Sequence, residues 1–205
     1  MDVGGNIGMW SLAAAAANHQ TFTIEPFALN YQRICKSVDK NLFHDQIHLM
    51  NVAATSQNTT FRIDVPKRNK GGGRVAAVES TDSIDDEYIV KGVPIDSLKL
   101  PTDRPVVLKV DVEGHELQAF VGGLDFLQQA NIVYAMTELR PTFQADDETF
   151  RSWKKIFGIF SSKELKPYRI DYDEETELNV ERFYEWRHVK HPRVRYFDVV
   201  WRKGD

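Results

Sequence analysis

The N-terminal quarter of the chain alternates between strand-type and helix-type patterns. Residues 9–18 are alanine-rich helix formers, residues 21–25 alternate β-branched and aromatic side chains, residues 28–42 carry apolar side chains at helical spacing, and residues 46–52 are a further strand candidate. This order requires a parallel sheet with helices on its faces, connected by right-handed crossovers. The sequence therefore predicts an α/β fold.

The same alternation continues to the C-terminus. Further strands are predicted at 59–65, 88–93, 106–110, 132–137, 168–172 and 196–201. The near-continuous apolar residues at 106–110 are typical of a central strand that is buried on both faces. Because a length of 205 residues fits one domain, we predict a single domain over 1–205, in which 144–205 supplies a helix and the closing strands.

The composition limits the kinds of partner and the cellular location that we expect. Lys and Arg total 26 against 30 Asp and Glu, so no overall attraction to nucleic acid or anionic lipid is expected. No apolar run approaches the roughly 18 residues of a membrane span. The single cysteine, Cys35, fits a reducing, cytoplasmic location, and its helical spacing predicts a core residue rather than a nucleophile. The chain begins directly on a predicted strand, without a signal peptide, and we expect that an upstream portion is short or missing.

The first candidate site is the turn between the first strand and the first helix, Asp2-Val3-Gly4-Gly5-Asn6-Ile7-Gly8. Its glycines allow a tight turn and a close approach of a ligand, but their spacing is not that of the dinucleotide fingerprint. A carboxylate at Asp2 would repel a pyrophosphate and attract a sulfonium or ammonium group. Glu25 follows the second strand, where an acid usually accepts hydrogen bonds from ribose hydroxyls. Together the two acids favour S-adenosylmethionine as the ligand.

The second candidate site follows the strand at 106–110 and includes Asp111, Glu113, His115 and Glu116. Ligands of open α/β sheets bind beyond the carboxyl ends of the strands, so we expect these side chains beside the same crevice. They could ligate a divalent metal, but alternate residues leaving a strand point to opposite faces, and we therefore favour a general base and no metal. Glu116 is equally typical of a first-turn acid that favours the helix dipole.

These motifs resemble those of the FkbM-type S-adenosylmethionine-dependent methyltransferases. The resemblance runs in order from residue 2 to about 143 and is carried by segments 2–8, Glu25-Pro26, Asn51-Val52-Ala53, the glycines at 71–73, Ile95-Asp96-Ser97-Leu98 and 109–116. The sequence departs from the family at Gly5, where alanine is usual.

The resemblance implies a Rossmann-like class I methyltransferase fold, with helices on both faces of a mostly parallel seven-stranded sheet whose last strand is antiparallel. It also implies where the cofactor lies. Asp2, Gly4, Asn6 and Gly8 would surround the methionine part of S-adenosylmethionine, Glu25 would hold the ribose, and Asn51 and Ala53 would border the adenine. Asp111 would lie nearest the point of methyl transfer, with Glu113 and His115 beside it.

The implied reaction is O-methylation of a hydroxyl on a sugar, a glycolipid or a natural-product-like small molecule. Such a displacement needs positioning and proton removal, for which we predict Asp111 or His115 as base and Glu113 or Glu138 as substrate contact. A non-catalytic, methyltransferase-like binding module is the alternative. A nucleotide-dependent oxidoreductase is disfavoured by the glycine spacing and by Asp2.

Overall fold

A computed structural model describes residues 1–65, 73–78, 88–139, 146–171, 174–188 and 196–204. The strands are β1 (Asp2–Val3), β2 (Thr21–Ile24), β3 (Ile47–Met50), β4 (Ala53–Ala54), β5 (Thr59–Asp64), β6 (Arg74–Ala77), β7 (Ile89–Val93), β8 (Pro105–Val110), β9 (Asn131–Leu139), β10 (Leu165–Asp171), β11 (Glu174–Glu177) and β12 (Phe197–Lys203). The helices are α1 (Met9–Ala16), α2 (Ala28–Asn41), α3 (Glu116–Val121), α4 (Leu124–Gln129) and α5 (Asp147–Ser162), with 3₁₀ helices at Ile95–Leu98 and Val180–His188.

The main sheet confirms the predicted α/β class. Its order is β11-β10-β12-β9-β8-β1-β2-β3. The five strands from β9 to β3 pair in parallel, whereas β12 is antiparallel to both β9 and β10, as predicted for the closing strand. The predicted number of seven strands is wrong, because the described residues contribute eight. The additional strand, β11, has the sequence Glu-Glu-Thr-Glu and lacks the apolar alternation that marks a strand.

Within the described part of the chain, four strands form a second, smaller sheet that is not hydrogen-bonded to the main one, with the order β4-β7-β5-β6. It contains the predicted strands at 59–65 and 88–93, which the sequence alone did not separate from the main sheet. Ala53, Phe61, Ile63 and Val90 of this sheet form an apolar cluster with Phe27, which precedes α2. The glycine-rich loop between β5 and β6 lies outside the described residues except for Gly73.

Helix α5 anchors the C-terminal part of the chain. Its N-cap is Asp146, whose carboxylate accepts a hydrogen bond from the Thr149 backbone N–H at 2.7 Å, and it is the helix that the sequence predicts within 144–205. Buried Phe157 packs against the rings of Trp186 and Trp201, at centroid distances of 5.0 and 5.3 Å. The 3₁₀ segment Val180–His188 is thereby attached to the core.

Helix α2 has the predicted extent but not the predicted burial of its cysteine. The buried stripe runs through Asn30, Ile34 and Val38, which are four residues apart, and Cys35 flanks it in a half-buried position. The expectation that Cys35 is a core residue is therefore wrong. Among the described residues, no helix combines the length and the apolar character that crossing a membrane would require.

Candidate active site

A cleft that is open to solvent lies at the carboxyl ends of β1, β2 and β8. This is the edge where parallel α/β sheets bind ligands. It is lined by seven of the residues that the sequence singles out: Gly4, Asn6, Glu25, Ala53, Asp111, Glu113 and His115. Ile24, Pro26, Ala54, Val75 and Val112 complete the wall. Of the other predicted site residues, Asp2, Gly8, Asn51 and Glu138 are described by the structure and lie outside this lining.

The glycine turn after β1 packs directly on the chain that leaves β8. Gly4 has a positive φ of 87°, and a Cβ at this position would lie 1.8 Å from the Asp111 carbonyl oxygen. The N–H groups of Gly4 and Gly5 donate to the Ile24 carbonyl at 2.9 and 3.0 Å. No side chain fits between the two segments, which explains why the turn requires glycine.

Glu25 is the most buried acid that lines the cleft. Its carboxylate accepts hydrogen bonds from the backbone N–H groups of Asn6, at 2.7 Å, and Phe27, at 2.9 Å. Burial raises the pKa of Glu25 to about 7, although these two hydrogen bonds oppose the shift. The Asn51 side-chain amide donates to the carbonyl oxygens of Glu25 and Pro26, so Asn51 supports the backbone of this corner.

Asp2 faces the interior. Its Oδ2 accepts a 2.6 Å hydrogen bond from the Ser11 hydroxyl, and its Oδ1 lies 3.4 Å from the Lys109 Nζ. Lys109 also donates to the Gly4 carbonyl at 3.0 Å and lies 3.5 Å from Asp111 Oδ2. Lys109 thus joins the glycine turn to the end of β8. We did not predict this role, although a single lysine within an otherwise apolar strand was a signal for it.

The turn between β8 and α3 reverses the chain through left-handed conformations. Glu113 has φ 56° and Gly114 has φ 100°. Buried Glu116 reaches back across this turn, and its Oε1 accepts hydrogen bonds from the N–H groups of Val112 and Gly114 at 3.2 and 2.9 Å. Glu116 therefore stabilises the turn. Glu113 lines the cleft, and its Oε2 lies 3.9 Å from the Arg74 Nε.

The same reversal brings acids of two strand ends together. Single carboxylate oxygens of Asp111, Glu116 and Glu138 lie within 4.8 Å of one another. The pKa of Glu138 is raised to about 7, first by burial and then by the neighbouring acids, of which Asp111 is the foremost. Such a group can share a proton or hold a divalent cation. The expectation that alternation would separate Asp111 from Glu116 is wrong, because the chain no longer has strand geometry after β8.

His115 contacts the second sheet. Its Nε2 lies 3.0 Å from the Thr55 hydroxyl oxygen, and its ring meets that of Phe61 edge-on at 5.3 Å. Burial lowers the pKa of His115 below its usual range, so the neutral ring is favoured near pH 7. Thr55 was not predicted, because it follows β4 of the smaller sheet and has no motif of its own.

A glycine turn after the first strand, an acid after the second and an antiparallel strand inserted beside β9 define a class I methyltransferase fold. Residues 2–170 match the model of the methyltransferase FkbM domain. The chain belongs to this family.

The chain was also compared with solved structures. A crystal structure of methyltransferase FkbM from Methylobacillus flagellatus KT is 16% identical, with a TM-score of 0.56, and the match covers 98% of this chain and 42% of that one. The chain thus spans less than half the length of that protein. The N-terminal domain of human METTL16, solved in complex with SAH, is 12% identical with a TM-score of 0.43, covering 100% of this chain and 60% of that one. Comparison with curated proteins gave no significant match.

Proposed function

We propose that the protein is an S-adenosylmethionine-dependent O-methyltransferase that acts on a hydroxyl of a sugar, a glycolipid or a natural-product-like small molecule. Membership in the FkbM family supports methyl transfer. The observation that carries the choice of cofactor is the position of Glu25, buried at the cleft beside the glycine turn.

The donor set of the cleft suits S-adenosylmethionine. Ribose hydroxyls are hydrogen-bond donors, and the Glu25 carboxylate is an acceptor already oriented by the N–H groups of Asn6 and Phe27. Ala53 and Ala54 offer a small apolar wall on which an adenine ring can lie. When bound, the cofactor supplies an electrophilic methyl group on a sulfonium that is a good leaving group.

The chain's own residues supply positioning and proton removal. Asp111, Glu113 and His115 line the cleft at the end of β8, and the Asp111 side chain is 42% exposed, so an acceptor hydroxyl can reach it. A carboxylate or an imidazole at this place can take the proton of the attacking hydroxyl, while the other polar groups orient the acceptor. Asp111 and His115 are the two candidates for the base, and Glu113 and Glu138 are the candidates for substrate contact.

Calorimetric binding of S-adenosylmethionine, S-adenosylhomocysteine and NAD tests the cofactor assignment. We expect both sulfur ligands to bind and NAD not to bind. Glu25→Ala should abolish binding, Asp111→Ala should largely retain it, and Glu164→Ala is the matched control, because this glutamate side chain is 81% exposed. Failure of the folded chain to bind either sulfur ligand would rule out the proposed cofactor.

Transfer of a tritiated methyl group to a panel of p-nitrophenyl glycosides tests the reaction. We expect incorporation of label that depends on Asp111. Binding of S-adenosylhomocysteine without transfer to any glycoside would contradict a sugar acceptor and favour either another hydroxyl compound or a non-catalytic binding module.

A further inference from the structure

We propose that Thr55 is a positioning residue that keeps the proton of His115 on Nδ1, so that His115 donates a hydrogen bond to the acceptor molecule and does not act as the base. This inference rests on the proposed methyl transfer and assigns a role within the same cleft. It leaves Asp111 as the group that takes the acceptor's proton.

The backbone around Thr55 leaves it little freedom. Thr55 is 3% exposed, and its N–H donates to the Val93 carbonyl at 3.1 Å. A Cβ on Gly122 would lie 1.9 Å from the Thr55 carbonyl oxygen, and a Cβ on Gly92 would lie 2.9 Å from its methyl group. Two glycines therefore make room for the backbone and the methyl group of Thr55.

The Thr55 hydroxyl has one hydrogen-bond partner within the part of the chain that the structure describes, and this partner is His115 Nε2 at 3.0 Å. A buried O–H that has no acceptor is costly. The hydroxyl can avoid this cost by donating to Nε2, which must then carry a lone pair rather than a proton. In a neutral imidazole the proton is then on Nδ1.

The other ring nitrogen is available to a ligand. His115 precedes α3 at the N-cap, but its side chain does not cap the helix, and no hydrogen bond joins Nδ1 to another described residue. The side chain lines the cleft. Because Nε2 faces buried Thr55, Nδ1 is the nitrogen that can contact the substrate, and in this tautomer it donates a hydrogen bond. An N–H group at this position can bind an oxygen of the substrate and orient it.

The tautomer can be read directly from ¹⁵N–¹H correlation spectra of the histidine side chains at neutral pH, recorded on the full chain with and without S-adenosylhomocysteine. The His115 signals are assigned by their loss in His115→Gln. We expect a protonated Nδ1 and an unprotonated Nε2 in the wild type. Thr55→Val, which keeps the shape and removes the hydroxyl, should shift the proton towards Nε2, and Thr55→Ser should restore the wild-type pattern.

A wild-type ring protonated on Nε2, or on both nitrogens, would overturn the proposal, as would an unchanged tautomer in Thr55→Val. The wild-type spectrum decides even where the valine variant does not fold, and Thr55→Ala is a second variant that lacks the hydroxyl. Calorimetry with S-adenosylhomocysteine is run in parallel, so that a failure of cofactor binding is distinguished from a wrong tautomer.

Discussion

The ammonium group of Lys109 lies 3.4 Å from the carboxylate of Asp2, and both side chains are almost fully buried. Lys109→Met should leave this buried carboxylate without its cation. We expect a loss of about 3–5 kcal/mol in the free energy of unfolding, measured by urea denaturation. The variant should also weaken binding of S-adenosylhomocysteine, because Lys109 holds the Gly4 carbonyl in the turn.

Lys36→Met is the matched control, since Lys36 is exposed on α2, and it should change the unfolding free energy by no more than about 0.5 kcal/mol. The double variant Lys109→Met with Asp2→Asn should recover part of the loss. A Lys109→Met protein as stable as the control would show that the ion pair contributes nothing.

The effect of a Gly→Ala substitution on the free energy of unfolding should depend strongly on what surrounds the glycine. Gly4→Ala forces a side chain into a left-handed conformation and against the Asp111 carbonyl, so we expect a loss of at least about 3 kcal/mol in unfolding free energy. Gly158→Ala lies within α5 with nothing inside 4 Å of the new Cβ, and should stabilise the protein by about 0.5–1 kcal/mol. Thermal unfolding followed by circular dichroism measures both.

The effect of Gly5→Ala on the free energy of unfolding should lie between those of Gly4→Ala and Gly158→Ala. Its new Cβ would lie 2.6 Å from the Thr23 side-chain methyl, and Thr23 hydrogen-bonds to Ser11 at 2.7 Å, so relief of the clash disturbs that bond. A Gly5→Ala protein as unstable as Gly4→Ala would contradict the distinction between a side-chain and a backbone obstacle.

Glu25 should make stability fall as the pH rises. Its folded pKa of about 7 lies above the ordinary value of 4.5, so the folded chain binds the proton more tightly than the unfolded chain between these two pH values. The stabilisation is complete below pH 4.5 and is lost as the pH rises through 7, with an upper limit of about 3 kcal/mol. Urea denaturation over this range should give a flatter pH profile for Glu25→Gln than for the wild type.

Only the slopes are compared, because glutamine also disturbs the hydrogen bonds from Asn6 and Phe27. Glu164→Gln, on the surface, should keep the wild-type slope. Equal slopes for wild type and Glu25→Gln would mean that Glu25 titrates as an ordinary carboxyl group.

Much of the cleft could be predicted because one geometric rule governs it. The carboxyl ends of parallel strands meet at one edge of the sheet, and residues just after such ends, including Gly4, Glu25 and Asp111, line the observed cleft. The rule says nothing about residues within the strands. Asp2 and Lys109 lie inside β1 and β8, where their pairing depends on register, and the register places Asp2 opposite Lys109.

The rest of the site depends on contacts between distant segments. Thr55 meets His115 sixty positions further along the chain, through a sheet that sequence patterns did not separate from the main one. Asp111 and Glu116 come together because Glu113 and Gly114 adopt positive φ. Gly114 allows such a turn but does not specify it, and a positive φ at a glutamate has no sequence signal.

Substitutions at His115 should show whether it acts as a hydrogen-bond donor or as a general base. An asparagine side-chain amide places an N–H near the position of Nδ1, whereas a glutamine amide reaches towards that of Nε2. If His115 donates through Nδ1, His115→Asn should retain methyl transfer within about tenfold of the wild type, since one hydrogen bond is weakened rather than lost. His115→Gln and His115→Ala should lose more. A base role would instead cost about 10²–10⁴-fold in all three variants. The measurement is transfer of labelled methyl to a glycoside acceptor, with S-adenosylhomocysteine binding as the check that each variant is folded.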